Sequence, residues 1–173
     1  MGPCIDVYVL TEYRDAEIIG AFADAFVDRS RSAAYDMELS VLPVDYTGAE
    51  DTLETSDWDS LTVRSLDEII GVAVAKPARA FRAYVPAVAP LCGALLCFTT
   101  DGGVIFGISV DDTLNEPEAV AEARERLAEL MRVVGGGIGW AIPEERPPLD
   151  PWSERQWGDD RVVAVAGPRP RTD

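Results

Sequence analysis

Carboxylates are the side chains in this sequence most able to do chemistry, and Asp57-Trp58-Asp59 and Asp111-Asp112 set them closest to the metal-binding patterns. Oxygen ligands of this kind suit calcium or magnesium. Neither run has the spaced acids and terminal glutamate of an EF-hand loop, so both read as solvated surface charge and no metal ligand is assigned. The chain has no histidine. That removes the Ser-His and Cys-His pairs of nucleophilic catalysis and the common ligand sets for zinc, copper and non-haem iron. Cys4, Cys92 and Cys97 are odd in number and stand among apolar neighbours, which suits reduced, buried thiols better than a disulfide framework. Cys97 in particular lies inside an apolar run, where a raised thiol pKa makes it inert. The single lysine, Lys76, precedes Pro77 with no serine motif around it. The glycine run Gly135-Gly136-Gly137-Ile138-Gly139 follows a helix and precedes a strand. A phosphate cradle has the opposite order, so the run reads as a helix C-cap and connector. No catalytic residue and no cofactor is assigned.

What remains is charge. With 31 acidic against 15 basic residues, the formal net charge is -16. Between Ser32 and Val63 there is no lysine or arginine, while Asp36, Glu38, Asp45, Glu50, Asp51, Glu54, Asp57 and Asp59 place eight carboxylates in that stretch. Such a surface repels nucleic acid and anionic membrane and attracts basic proteins. Trp58 stands between two of the carboxylates, the arrangement of an aromatic anchor ringed by charge. Glu50, Asp51, Glu54, Asp57, Trp58 and Asp59 are therefore the candidate partner-binding residues. Trp152 and Trp157 lie in similar polar surroundings, whereas Trp140, in a short apolar run, reads as core.

The elements that must carry these residues follow from periodicity. Cys4 to Leu10 is a compact apolar run, a buried first strand. Ile18, Ile19, Phe22, Ala25 and Phe26 recur at spacings of three and four, predicting a helix over 15–28. Glu38 to Leu42 alternates as a short strand ended by Pro43, and Val44 to Asp57 has the composition of a polar loop. Ser65 with Glu68 forms a capping box that opens a helix over 66–76, stopped by Pro77. Ala80 to Val85 is the next strand. Two apolar runs, Ala94 to Thr99 and Val104 to Val110, flank Thr100-Asp101-Gly102-Gly103, whose glycines supply the positive φ of a tight hairpin turn. Pro117 opens a helix over 117–134, with Val120, Leu127, Leu130, Met131 and Val134 on one face and Glu118, Glu122, Glu125, Arg126 and Glu129 on the other. Ile138 to Ile142 and Arg161 to Ala166 are the last strand candidates.

At 173 residues, 47% hydrophobic, the chain suits one globular domain. The pattern predicts an α+β fold: a mixed, largely antiparallel sheet with a central hairpin and three helices packed on one face. A doubly wound nucleotide-binding fold would need a crossover where the hairpin stands. Residues 1–143 form the domain, and 144–173, rich in Pro and Trp, form an extension packing on it with a frayed end. The N-terminus lacks the basic and apolar regions of a secretory signal, and the longest apolar run, Ala83 to Phe98, is too short for a membrane span and broken by Pro86 and Pro90. A cytoplasmic location is the expectation.

In small size, strong acidity, lack of a catalytic motif and α+β layout, the chain resembles bacterial immunity proteins, which cover nucleases or other cationic toxins. The resemblance implies a non-catalytic binder that neutralises a basic protein, with no nucleic acid, no membrane and a homo-oligomer left open. A second reading is an enzyme or small-ligand domain using carboxylates and arginines, with Arg79 and Arg82 as anion contacts. A third is an acidic subunit of a larger assembly, its charge serving solubility.

Overall fold

In a computed structural model of the chain, nine strands and three helices lie along the described residues, which are 4–30, 39–40, 42–43, 62–63, 65–78, 80–99, 101–112, 117–143 and 162–167. The strands are β1 (Cys4–Thr11), β2 (Leu39–Ser40), β3 (Leu42–Pro43), β4 (Thr62–Val63), β5 (Phe81–Val85), β6 (Gly93–Phe98), β7 (Val104–Asp111), β8 (Ile138–Pro143) and β9 (Ala164–Ala166). The helices are α1 (Ala16–Phe26), α2 (Leu66–Ala75) and α3 (Pro117–Val134). Seven strands form one sheet in the order β3-β5-β6-β7-β1-β8-β9, and β2 pairs with β4 apart from it. Every strand pair is antiparallel. This is the predicted α+β fold, and the doubly wound alternative is absent from the described residues.

Local chemistry accounts for the elements. The Asp15 carboxylate accepts the backbone N–H of Glu17 at 2.7 Å and starts α1, and Ser65 accepts that of Glu68 at 3.2 Å and starts α2. α3 ends where Gly135, at φ 65°, closes onto the Met131 carbonyl at 2.9 Å, the left-handed C-cap expected of that glycine run. In the β6–β7 hairpin, Asp101 accepts from the Thr99 hydroxyl and the Gly103 N–H, and Gly102 turns at φ 92°. β7 then stands fourth of the seven strands, so the hairpin lies at the sheet centre.

All three helices pack on one face. Ile19, Phe22 and Phe26 of α1, Ile69 of α2 and Leu127 and Leu130 of α3 share a core with Val7, Val9, Leu96, Phe98, Phe106 and Ile108. The opposite face is buried too: Tyr8, Leu10, Leu95, Cys97, Ile105, Ile138, Trp140 and Ile142 form a second apolar cluster. Burial on both faces explains why β6 and β7 read as unbroken apolar runs instead of alternating. Trp140 belongs here, 4% exposed, with its ring 5.5 Å from that of Tyr8.

Gly107 makes room for that layer. A Cβ at this position would lie 2.8 Å from the Tyr8 ring and 3.2 Å from Leu95 Cβ. Tyr8, held between its strand neighbours and Trp140, has little freedom to yield, so Gly107→Ala should cost about 1–3 kcal/mol. Urea unfolding of the variant measures this, and an unchanged midpoint would show that the layer is loosely packed.

Four expectations change. Of the Asp111-Asp112 pair read as solvated charge, Asp111 is exposed but Asp112, just past the end of β7, is buried. The segment Glu38 to Leu42 is divided between two two-residue strands in separate sheets, because Leu39 pairs with Val63 and Leu42 with Arg82. Pro43 is the last residue of β3 rather than the stop after it; on an edge strand a missing N–H costs no ladder bond. Of the three cysteines only Cys97 is buried: Cys92 is exposed and Cys4 partly so, because Cys92 occupies the bend before β6 and not the strand. None of the three is in a disulfide. No helix among the described residues is long and apolar enough to cross a membrane.

Candidate functional site

Glu50, Asp51, Glu54, Asp57, Trp58 and Asp59 lie outside the described residues, as do Trp152, Trp157 and Arg79. The described strands nonetheless fix where that acidic segment leaves and rejoins the domain. It departs after Pro43, paired with Phe81 on the edge of the main sheet, and returns at Thr62, paired with Ser40. Ser40 and Pro43 are three positions apart in sequence, so both ends of the segment are held at one corner, beside the β3 edge.

A second acidic surface is fully described. Along the outer side of α3, Glu118, Glu122, Glu125 and Glu129 border a shallow groove of about 460 Å³ with Ala121 and Arg126. Arg126 is tied to Glu129 at 2.8 Å and Glu122 at 3.6 Å. Exposed pairs of this kind contribute little to stability. Their consequence is electrostatic: the one cation in the groove is shared by two acids, and the face stays negative. This is the water-facing stripe that the helix periodicity predicts.

Other chemically capable residues are dispersed through the fold. Arg82, one of the two proposed anion contacts, is only 9% exposed, alternates with the apolar residues of β5 and pairs in register with the buried Cys97. Lys76 is exposed at the end of α2, where its backbone N–H closes onto Val72. Asp6 accepts the Ser109 hydroxyl at 2.6 Å across β1 and β7. No group of three or more Cys, Asp or Glu side chains that could hold a metal ion exists among the described residues.

Two groups near Asp6 titrate abnormally. Burial, a hydrogen bond to Cys92 and the negative charges of Asp6 and Asp111 push the Cys4 thiol from 9.0 up to about 11. Burial, with Asp6 again, pushes the Tyr8 phenol well above its ordinary range. In both cases the unfolded chain releases its proton first. For Cys4 the contribution is fully present below pH 9 and is lost as the pH rises toward 11; for Tyr8 it is present below pH 10 and declines above it. The urea midpoint should fall between pH 9 and 11, and Cys4→Ser should flatten part of the fall; a midpoint constant over that range would contradict the raised titration of both groups.

Arg14 is a structural residue that the sequence reading missed. Its guanidinium donates to the carbonyls of Ala73 at 3.1 Å, Lys76 at 2.9 Å and Thr99, and lies 5.2 Å from the centre of the Phe98 ring. It fastens the β1–α1 turn to the end of α2. Its one sequence signal is isolation, a lone cation among Glu12, Asp15 and Glu17. No protein-family model, no curated protein and no solved structure matches this chain.

Proposed function

We propose that this chain is an acidic, non-catalytic binding protein that neutralises a basic protein partner, in the manner of an immunity-type toxin inhibitor. The observation that carries the reading is the charge: -16 overall, with eight carboxylates and no basic residue between Ser32 and Val63. Three further features support it. Both ends of the acidic segment are held at one corner of the sheet. The outer face of α3 adds four glutamates around a single arginine. Arg82, the described arginine that an anion-binding enzyme would use, is buried in the sheet. At physiological ionic strength the Debye length is about 8 Å, so such a surface acts on a partner over a short approach and on-rate is what it governs.

The test is capture from native lysate on the immobilised full chain at ~0.05 M and ~1 M salt, where screening lengths differ several-fold, followed by identification and kinetics with the purified candidate. The reading expects a protein of positive net charge, held at low salt and released at high salt. Retention of neutral or acidic proteins alone, indifferent to salt, would count against it.

A further inference from the structure

The chain already shows how it receives a cation at a helix end: Arg14 meets the last carbonyls of α2 and the face of Phe98. The end of α3 offers the same materials with no lysine or arginine among the residues that line it. A recess of about 290 Å³ opens there, between the β1–α1 turn and the chain leaving the helix. Glu12 and Tyr13 stand on its rim, both exposed, Tyr13 at 66%. Leu10, Ile18 and Val134 supply apolar wall. Gly136 brings the two sides together, since a Cβ there would lie 2.9 Å from the Leu10 carbonyl oxygen and 2.2 Å from Val9.

The N-terminus of α1 borders the recess at Ile18, where the Asp15 carboxylate accepts its first N–H groups, whereas the C-terminus of α3, Glu12 and Tyr13 favour a cation. The last carbonyls of a helix lack intrahelical donors and carry the negative end of its dipole. In α3 the Gly135 N–H satisfies that of Met131, and Val134, the last helical residue, lines the recess with Gly135 to Gly137. Glu12 adds a carboxylate and Tyr13 a π-face, both favouring a cation. Arg132, the basic residue of the last helical turn, is exposed and does not line the recess. Size narrows the ligand. The volume lies at the bottom of the ~300–1,000 Å³ range of small-molecule pockets, which suits one long side chain, and the apolar wall suits the methylene stem beneath a charged head.

We propose that this recess is the socket for an arginine side chain carried by the basic protein partner. The inference rests on the binding-protein reading and places one contact of that partner at the β1–α1 turn, away from the acidic segment.

The probe is N-acetyl-arginine methylamide, one side chain without charged termini, titrated into the ¹⁵N-labelled full chain and followed by amide shifts. Saturable shifts should centre on Glu12, Tyr13 and Gly135 to Gly137. The neutral isostere N-acetyl-citrulline methylamide should leave them unmoved. Glu12→Gln and Tyr13→Ala, both at exposed positions, should each weaken binding by about threefold, while Asp67→Asn, exposed on α2, leaves it unchanged. Absent or unsaturable shifts, shifts spread over the α3 glutamates, equal binding of the citrulline probe, or full affinity in both recess variants would overturn the assignment. Tighter binding of free arginine than of the capped probe would make the recess a small-molecule site and overturn the partner assignment. Each of these leaves the salt-dependent capture of a basic protein, and so the underlying reading, to stand or fall separately.

Discussion

Phe106→Ala should lower the unfolding free energy by about 3–5 kcal/mol, the range for removing a buried aromatic from a packed core. Phe106 is fully buried on β7, the central strand, between Val9 of β1 and Leu96 of β6 in register. Its ring lies 5.0 Å from that of Phe22, which in turn lies 5.5 Å from Phe26, so one aromatic chain joins the sheet to α1. Truncation leaves a cavity between two rigid elements, and neither can collapse into it without disturbing sheet pairing or the α1 contact. Since domains of this size are stable by roughly 5–15 kcal/mol, the variant should sit near the edge of folding. Urea denaturation followed by circular dichroism reads the loss. A change below about 1 kcal/mol would mean that α1 does not pack on the sheet as described.

Trp58→Ala should weaken partner binding by about 2 kcal/mol, roughly thirtyfold, mainly through a faster off-rate. The basis is an indole flanked by Asp57 and Asp59 in a segment without a positive charge. Its carboxylates steer the approach of a basic partner, and the aromatic ring is the part able to be desolvated at the contact centre. Asp57→Asn with Asp59→Asn should instead slow association and leave dissociation nearly unchanged. Surface plasmon resonance with the identified partner separates the two effects. If the stretch is acidic only for solubility, both variants bind at full strength and differ in aggregation alone.

The fold was most legible where local chemistry decides. Ser65 with Glu68, Pro117 and Gly135 bound the helices, and Asp101-Gly102-Gly103 marks the hairpin, because caps and turns are short-range. It was least legible where a partner distant in sequence decides. β2, β3 and β4 are two residues each and exist through Val63, Thr62, Arg82 and Phe81. Neither could an apolar run such as Gly93–Phe98 disclose that both faces of the sheet are covered, since periodicity does not separate a doubly buried strand from a buried helix segment. Cys92 shows the same limit at the scale of one residue: its neighbours are apolar, and it is exposed because the strand begins one position later.

For the candidate site, the sign of the charge was legible from composition and the glutamate stripe of α3 from its period. The recess was not. Glu12 and Tyr13 are separated from Gly135 by most of the chain and meet it because β1 pairs with β8 while α3 packs across them.

The central claim, that charge brings a basic partner to this surface, is tested most directly by the salt dependence of association with that partner. Stopped-flow or surface plasmon resonance from ~0.02 to ~0.5 M salt should show the on-rate falling steeply as the screening length shortens, with the off-rate nearly constant. An on-rate indifferent to salt, or rising with it, would contradict the account.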